Sequence, residues 1–168
     1  MGLPRSRTAW LAAFMNTENI FCYHELVGSC TSLEEVKSKL QLPKYKAIGF
    51  SDTCGHLIHE EFTCPKVIIH RNIEEVNTSL QKLYGTETSF LPLLEIEASR
   101  LQKVQGLHID FEEIDSSLKQ IQEYCTDIPF DKNRASLLTS MNIQTKILYP
   151  SEEAAKFINS LREKPICH

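Results

Sequence analysis

Residues 64–83 read CPKVIIHRNIEEVNTSLQKL and join two different hydrophobic patterns. Residues 67–69 are three β-branched residues in a row, which is typical of a strand buried on both faces. Asn72 then stands at a helix N-cap position, and Glu75 follows three residues later as its capping-box partner. The apolar residues beyond the cap recur at helical spacing, at Ile73, Val76, Leu80 and Leu83. A strand followed this closely by a helix is half of a βαβ unit.

The helix start within this stretch has counterparts elsewhere in the chain. Residues 33–36 and 111–114 repeat the order apolar, Glu, Glu, β-branched, each with a leucine four residues further on, and residues 151–154 are a weaker copy. A spacing of roughly 40 residues suggests a repeat protein. The intervening segments do not match one another, however, and paired glutamates in a first turn complement the positive end of the helix dipole. The recurrence therefore indicates architecture and not chemistry.

Strand patterns alternate with helix patterns along the rest of the chain. Strands are predicted at residues 20–23, 46–50, 67–69 and 146–149, with 55–59 as a short extra strand and 106–109 as a strand or an extended connector. Helices are predicted at residues 31–40, 72–83, 89–104, 110–124, 135–141 and 152–161, with Thr31 or Ser32 capping the first and Asp110 the fourth. The alternation predicts an α/β fold, a small, mostly parallel sheet of four to five strands with helices on both faces.

The N-terminal residues 1–15 are predicted to be a disordered leader, and residues 16–168 a single α/β domain. Residues 1–14 contain two arginines, no acidic residue and a short apolar run, as in a weak secretory or mitochondrial address. Gly2 and Ser6 also fit a myristoylation pattern, and Met15 could itself be a start. The apolar run at residues 8–15 is too short to cross a bilayer, so we expect no membrane partner.

Charge and cysteine content make two broad classes of protein less favoured. The net charge is −4 and the lysines and arginines are not clustered, so direct binding of duplex DNA is not expected. The six cysteines are scattered and are interpreted as buried thiols of an intracellular protein, at positions 22, 30, 54, 64, 125 and 167. The alternative is a secreted, cysteine-stapled factor. The glycosylation sequon at Asn77 supports it weakly, because Asn77 lies on a predicted helix.

Two groups of residues are candidates for chemistry. Cys54, His56, His59 and Cys64 are the residue types that bind zinc, but their spacing fits no common finger and the two histidines would point to opposite faces of a strand. Cys30 precedes a helix start, where a thiolate is favoured, but lacks an assignable partner. The turns that follow the predicted strands are not glycine-rich and offer no phosphate cradle. We therefore predict no catalytic, cofactor-binding or metal-binding residues.

Two adjoining pieces of the chain resemble the TASOR (transcription activation suppressor) family of large nuclear scaffold proteins. Residues 27–37 are similar to the family's glycine turn and its S-L-acid-acid-V-K helix, and residues 50–60 are similar to its strand–glycine–strand segment. Residues 133–158 are loosely similar to the end of the same region, while residues 86–131 do not match. The family has Gly-Gly where this chain has Cys54 and Gly55. The resemblance covers about half the chain and implies a nuclear assembly module without catalytic residues.

The function predicted from the residues and the resemblance is a non-catalytic protein–protein interaction or scaffold module. The resemblance implies a chromatin-silencing complex, involved in transcriptional repression, with a chromodomain protein as a partner. The alternative is a small α/β enzyme or zinc-binding domain that uses Cys30 or the set Cys54, His56, His59 and Cys64. The scaffold prediction includes no cofactor.

Overall fold

The computed structural model describes residues 1–141, 143 and 150–163. Over these residues the chain is a mixed α/β fold with seven α-helices and two parallel sheets of two strands each. The strands are β1 (Ile20–His24), β2 (Ala47–Ser51), β3 (Val67–His70) and β4 (Leu107–Asp110). The helices are α1 (Thr8–Met15), α2 (Leu33–Lys39), α3 (Ile73–Tyr84), α4 (Leu91–Lys103), α5 (Ile114–Cys125), α6 (Lys132–Thr139) and α7 (Glu152–Arg162). The predicted strand at residues 146–149 lies outside the described residues.

The strand–helix unit predicted at residues 64–83 forms as β3 and α3. The side chain of Asn72 accepts hydrogen bonds from the backbone N–H groups of Glu74 and Glu75, at 2.9 and 3.3 Å, and so caps α3. Ser32 caps α2 in the same way through the N–H of Glu35, which settles the choice between Thr31 and Ser32. The local patterns therefore give correct starts for α2 and α3, where a side-chain cap is present.

One predicted strand and two predicted helix starts are wrong. Residues 55–59 do not form a strand: Gly55–Leu57 and His59–Glu61 are 3-10 turns, and the backbone N–H groups bond to oxygens three residues back. Asp110 makes no capping bond, and a further 3-10 turn, Phe111–Glu113, delays the start of α5. Helix α6 starts earlier than residue 135, because Asp131 accepts hydrogen bonds from the N–H groups of Asn133 and Arg134.

A single sheet of four to five strands is not seen among the described residues, where β1 pairs with β2 and β3 pairs with β4. The outer edge of β1 is already occupied. The Asn16 side chain bonds both the C=O and the N–H of Cys22, at 2.7 and 3.0 Å, and so imitates a neighbouring peptide group. Thr17 satisfies both backbone groups of Ile20. The backbone of Met1 occupies the edge of β3 in a similar way. Its N-terminal amine donates to the carbonyl of Val67, and its carbonyl accepts from the N–H of Ile69, while Gly2 forms a bridge to Ile69.

The expectation that residues 1–15 form a disordered leader is wrong, because the structure places them in the core. Helix α1 buries Trp10, Leu11 and Phe14, and the Trp10 indole N–H donates to the carbonyl of Leu138 at 2.9 Å. The Arg134 guanidinium donates to the carbonyls of Ala13, Phe14 and Asn16 at the end of the helix. A helix that is apolar on all sides is a core helix.

Helices cover both faces of the β3–β4 sheet, as predicted. Ile69 packs with α1, α5 and α6, whereas its neighbour Ile68 points to the other face and packs with α3 and α4. A third cluster joins α2 and α7 to the segment that follows β1, with Val27, Cys30 and Val36 fully buried. The helices therefore cover the faces of the β3–β4 sheet and leave the carboxyl ends of the strands uncovered. The loops that follow the strands meet there.

Candidate functional site

A cleft with a volume of about 750 Å³ lies beyond the carboxyl ends of the strands. Its walls include one residue from each segment that follows a strand or the Gly2 bridge. In chain order, these residues are Arg5 after the Gly2 bridge, Glu25 after β1, Thr53 after β2, Arg71 after β3 and Phe111 after β4. Parallel strands bring the ends of their loops to one edge, which is where α/β folds usually bind their ligands. We call this site the carboxyl-edge cleft.

Three residues of the cleft have left-handed backbone conformations. Arg5, Arg7 and Glu25 have φ angles of 66°, 60° and 52°, and they are the non-glycine residues with positive φ in the described part of the chain. Each such residue costs about 1–3 kcal/mol, and it persists only where the surroundings hold it in place. All three line the same cleft. Backbone strain concentrated at one site suggests that the site is built for binding.

Side-chain contacts explain how the arginines are held. Arg7 forms an ion pair with Asp115 at 2.8 Å, and its guanidinium lies 4.3 Å from the centre of the Trp10 ring. Arg71 lies 4.1 Å from the centre of the Phe111 ring and donates to the backbone carbonyl of Arg5. These contacts combine cation–π attraction with hydrogen bonding. The loop at residues 4–7 is therefore fastened to β3, α5 and its own helix.

The carboxylate of Glu25 closes the other side of the cleft. Its oxygens accept hydrogen bonds from the hydroxyls of Thr8 and Thr53, at 3.2 and 2.8 Å. Burial raises the pKa of Glu25, but the hydrogen bonds from His24 and Thr53 lower it by more, so that the net pKa lies below the ordinary value. A charged carboxylate whose oxygens already accept hydrogen bonds is a poor general base.

Thr8, His24 and Glu25 contain the residue types of a catalytic triad, but their geometry differs. In a triad the two imidazole nitrogens face different partners, one the nucleophile and the other the carboxylate. Here the same nitrogen, Nε2 of His24, lies 3.3 Å from the Thr8 hydroxyl and 3.4 Å from Glu25. The imidazole therefore cannot relay a proton between them. This cluster fixes the loop after β1 in place.

Asp52 supports the floor of the cleft and was not predicted as a site residue. Its carboxylate is fully buried and accepts hydrogen bonds from the N–H groups of Val27 and Cys54, both at 2.7 Å. Burial, together with the charge of Glu25, raises the pKa of Asp52 to about 7. Asp52 joins the loop after β1 to the loop after β2, and so holds two walls of the cleft together.

The structure does not bring together the four residues of the zinc alternative. His56 is buried against Glu97, whereas His59 bonds the carbonyl of His56 through Nδ1 at 2.7 Å. Cys54 is half-buried in the cleft wall and Cys64 is exposed. Within residues 1–141 and 150–163, no three histidine, cysteine or acidic side chains are grouped so that they could hold a metal ion. The zinc alternative therefore has no assembled site.

Cys30, the candidate nucleophile, lies in an apolar environment. Its exposed fraction is 0 %, and it packs with Leu26, Val27 and Val36. Its sulfur lies 4.0 Å from the Ser29 hydroxyl, and the Lys39 ammonium interacts with the same side chain. A thiol in such a place is inaccessible to a substrate. The structure thus gives the cysteine-enzyme alternative no support.

Thiol modification of the native chain tests these placements. We expect Cys64 to react first with a mass-tagged alkylating agent, because it is exposed. Cys22 and Cys30 should react only after unfolding, since both are buried and burial raises the pKa of Cys22 to about 12. Peptide mass spectrometry with and without denaturant measures the order. Fast native modification of Cys30 would reinstate the enzyme alternative.

Two further features bear on the secreted alternative. The five described cysteines are free thiols. The side chain of Asn77 in the sequon is buried, and its oxygen accepts a hydrogen bond from the N–H of Phe90 at 2.8 Å. A folded chain therefore cannot present this asparagine for glycosylation.

The buried carboxylate of Glu97 is a site residue that the sequence prediction missed. It contacts Nε2 of His56, Arg162 Nε at 3.1 Å and Arg100 at 3.4 Å. Glu97 occupies a core position of α4, three residues after Leu94 and four before Leu101. A charge at an apolar position of the helix period was the available signal. The group ties α4 to α7 next to the cleft, since Arg162 also lines it.

No protein-family model, curated protein or solved structure matches the chain. In the part of the chain that the structure describes, every helix is too short or too polar to cross a membrane. The residues of the carboxyl-edge cleft thus provide the basis for a functional proposal.

Proposed function

We propose that the chain is a non-catalytic protein–protein interaction module and that the carboxyl-edge cleft is its binding surface. The observation that carries the proposal is the composition of the cleft. Arginine side chains line it together with large aromatic ones, namely Arg5, Arg7, Arg71, Trp10, Tyr84 and Phe111. Arginine, tryptophan and tyrosine are the residue types that dominate the energetics of protein–protein interfaces.

The accessible part of this lining suits a protein ligand. Tyr84 and Leu83, at the end of α3, are 45 % and 37 % exposed and offer apolar contact area at the cleft. Arg5, Arg7 and Arg71 are half-buried in the wall of the cleft, so that their side chains are held in place there. Because the groups with acid–base chemistry are engaged with one another, binding is a better use of this surface than catalysis.

The resemblance to the TASOR family suggests the setting of this interaction. By that resemblance, the module works in the nucleus as part of a chromatin-silencing complex, and its partner is the complex's chromodomain protein. The resemblance is the support for this identification, while the composition of the cleft supports the surface that is used.

A direct binding measurement tests the proposal. The whole chain and the purified chromodomain protein are titrated by calorimetry, and we expect a saturable complex. Tyr84→Ala removes an exposed side chain of the cleft and should weaken binding about 30-fold or more, the scale of an interface hot spot. Tyr124→Ala is the matched control, because Tyr124 is 42 % exposed on α5 and does not line the cleft. Equal weakening by both variants, or the absence of a complex, would refute the proposal.

A further inference from the structure

The arginine end of the carboxyl-edge cleft carries an excess of positive charge. Arg7 is paired with Asp115, and Arg71 lies 3.5 Å from Glu75, whereas Arg5 has no carboxylate partner among the described residues. Of these three arginines, Arg5 is thus the one without a carboxylate partner at its own end of the cleft, since the Glu25 carboxylate lines the other side and is held by Thr8 and Thr53. The two carboxylates are 48 % and 55 % exposed, so water screens them strongly. The excess is local, since the whole chain has a net charge of −4.

Arg5 is also held in position before any ligand arrives. Its φ angle is 66°, its Nε donates to the Ser79 hydroxyl at 3.1 Å, and its backbone carbonyl accepts from Arg71. The two terminal nitrogens of its guanidinium make no hydrogen bond to the described residues. A fixed guanidinium with free donors matches a carboxylate in a two-bond geometry, at a reduced cost in side-chain entropy.

Apolar surface lies one helical turn away from this guanidinium. Ser79, which holds Arg5, and Leu83 are four residues apart on α3 and therefore share a face of the helix. Leu83 and the adjacent Tyr84 are exposed and line the same cleft. A ligand that uses both features carries an acidic group next to an apolar side chain.

We propose that the carboxyl-edge cleft binds an acidic peptide segment of a partner protein, with an aspartate or glutamate on Arg5 and a neighbouring apolar side chain against Leu83 and Tyr84. This inference rests on the proposed function and adds the chemistry of the ligand. Complementary charge selects the segment, and the apolar contact adds to its affinity. A carboxylate bound by Arg5 would leave the arginine end of the cleft neutral.

Selection from a library of random displayed peptides tests the inference. The whole chain should enrich peptides that contain aspartate or glutamate beside an apolar residue. Arg5→Gln should abolish this preference and weaken the selected peptides about tenfold or more, because a bond to a charged group is lost. Glutamine has a Cβ as arginine does, so the left-handed backbone is equally costly in the variant. Lys119→Gln, on an exposed part of α5, removes the same charge away from the cleft and should leave the preference intact.

A second variant guards against an effect of Arg5→Gln on folding. Ser79→Ala keeps the guanidinium and removes the hydrogen bond that positions it, and it should reduce the affinity without removing the acidic preference. Enrichment of peptides without acidic residues, or an unchanged preference in Arg5→Gln, would overturn the inference and leave the interaction function standing. Failure to enrich any peptide would count against both. Tighter binding of a single-stranded RNA that also depends on Arg5 would overturn the inference in favour of a nucleic-acid ligand.

Discussion

Replacing Glu97 with alanine is expected to lower the free energy of unfolding by about 3–5 kcal/mol, because it leaves two arginines and a buried imidazole without their shared acceptor. The loss should fall near the lower figure, since the Arg162 side chain is 34 % exposed and can regain water. Urea unfolding followed by circular dichroism measures it. Glu95→Ala, on the exposed face of the same helix, is the matched control and should change the stability by less than about 0.5 kcal/mol. Equal effects of the two variants would show that the buried network contributes no stability.

The pH dependence of Glu97→Gln separates the charge of this residue from its shape. Burial alone would raise the pKa of Glu97, but the hydrogen bond with His56 and the charges of His56, Arg162 and Arg100 lower it by more. A carboxyl whose pKa is lower in the folded state than in the unfolded state stabilises the protein at every pH above its unfolded pKa. This contribution is lost as the pH falls through the folded pKa. The stability gap between the wild type and Glu97→Gln should therefore shrink as the pH falls below about 5. A gap that grew as the pH fell below this value would have the wrong sign.

The local elements of this fold could be predicted from the sequence, because each depends on residues close together in the chain. Asn72 caps α3 through two neighbouring N–H groups, and the β-branched run at β3 is buried on both faces. The helix starts without a cap were placed less well. Asp110 has the right residue type, yet a 3-10 turn follows it and α5 begins at Ile114. The residue type shows whether a side chain is able to cap a helix, whereas the packing of the following turn decides whether the capping hydrogen bond forms.

The arrangement of the strands could not be predicted in the same way, because it depends on contacts between distant residues. The edge of β1 is closed by the side chain of Asn16, and nothing in the residues around Asn16 marks it as a substitute for a strand. The cleft was missed for a related reason. Arg5 and Arg7 adopt left-handed conformations that carry no residue-type signal in non-glycine positions, and Arg71 reaches them across 66 residues of chain.

The burial of α1 leads to the other large expected effect. Trp10→Ala should lower the free energy of unfolding by about 3–5 kcal/mol, the usual cost of removing a buried tryptophan. The ring is 2 % exposed, lies parallel to Phe14 with centroids 5.6 Å apart, and donates its N–H to Leu138. Trp10→Phe keeps much of the packing and leaves the Leu138 carbonyl without its donor, so a smaller loss of about 1–3 kcal/mol is expected.

The same substitutions decide whether residues 1–15 belong to the fold in solution. Leu137→Ala is the matched control, because Leu137 is 64 % exposed on α6 beside the Leu138 contact. Trp10 is the single tryptophan of the chain, so its fluorescence reports on α1 alone. In urea its emission should shift to longer wavelength together with the loss of helical circular dichroism, since α1 and the core unfold as one unit. A tryptophan that is already exposed in native buffer, with Trp10→Ala as stable as the wild type, would return these residues to the role of a leader outside the core.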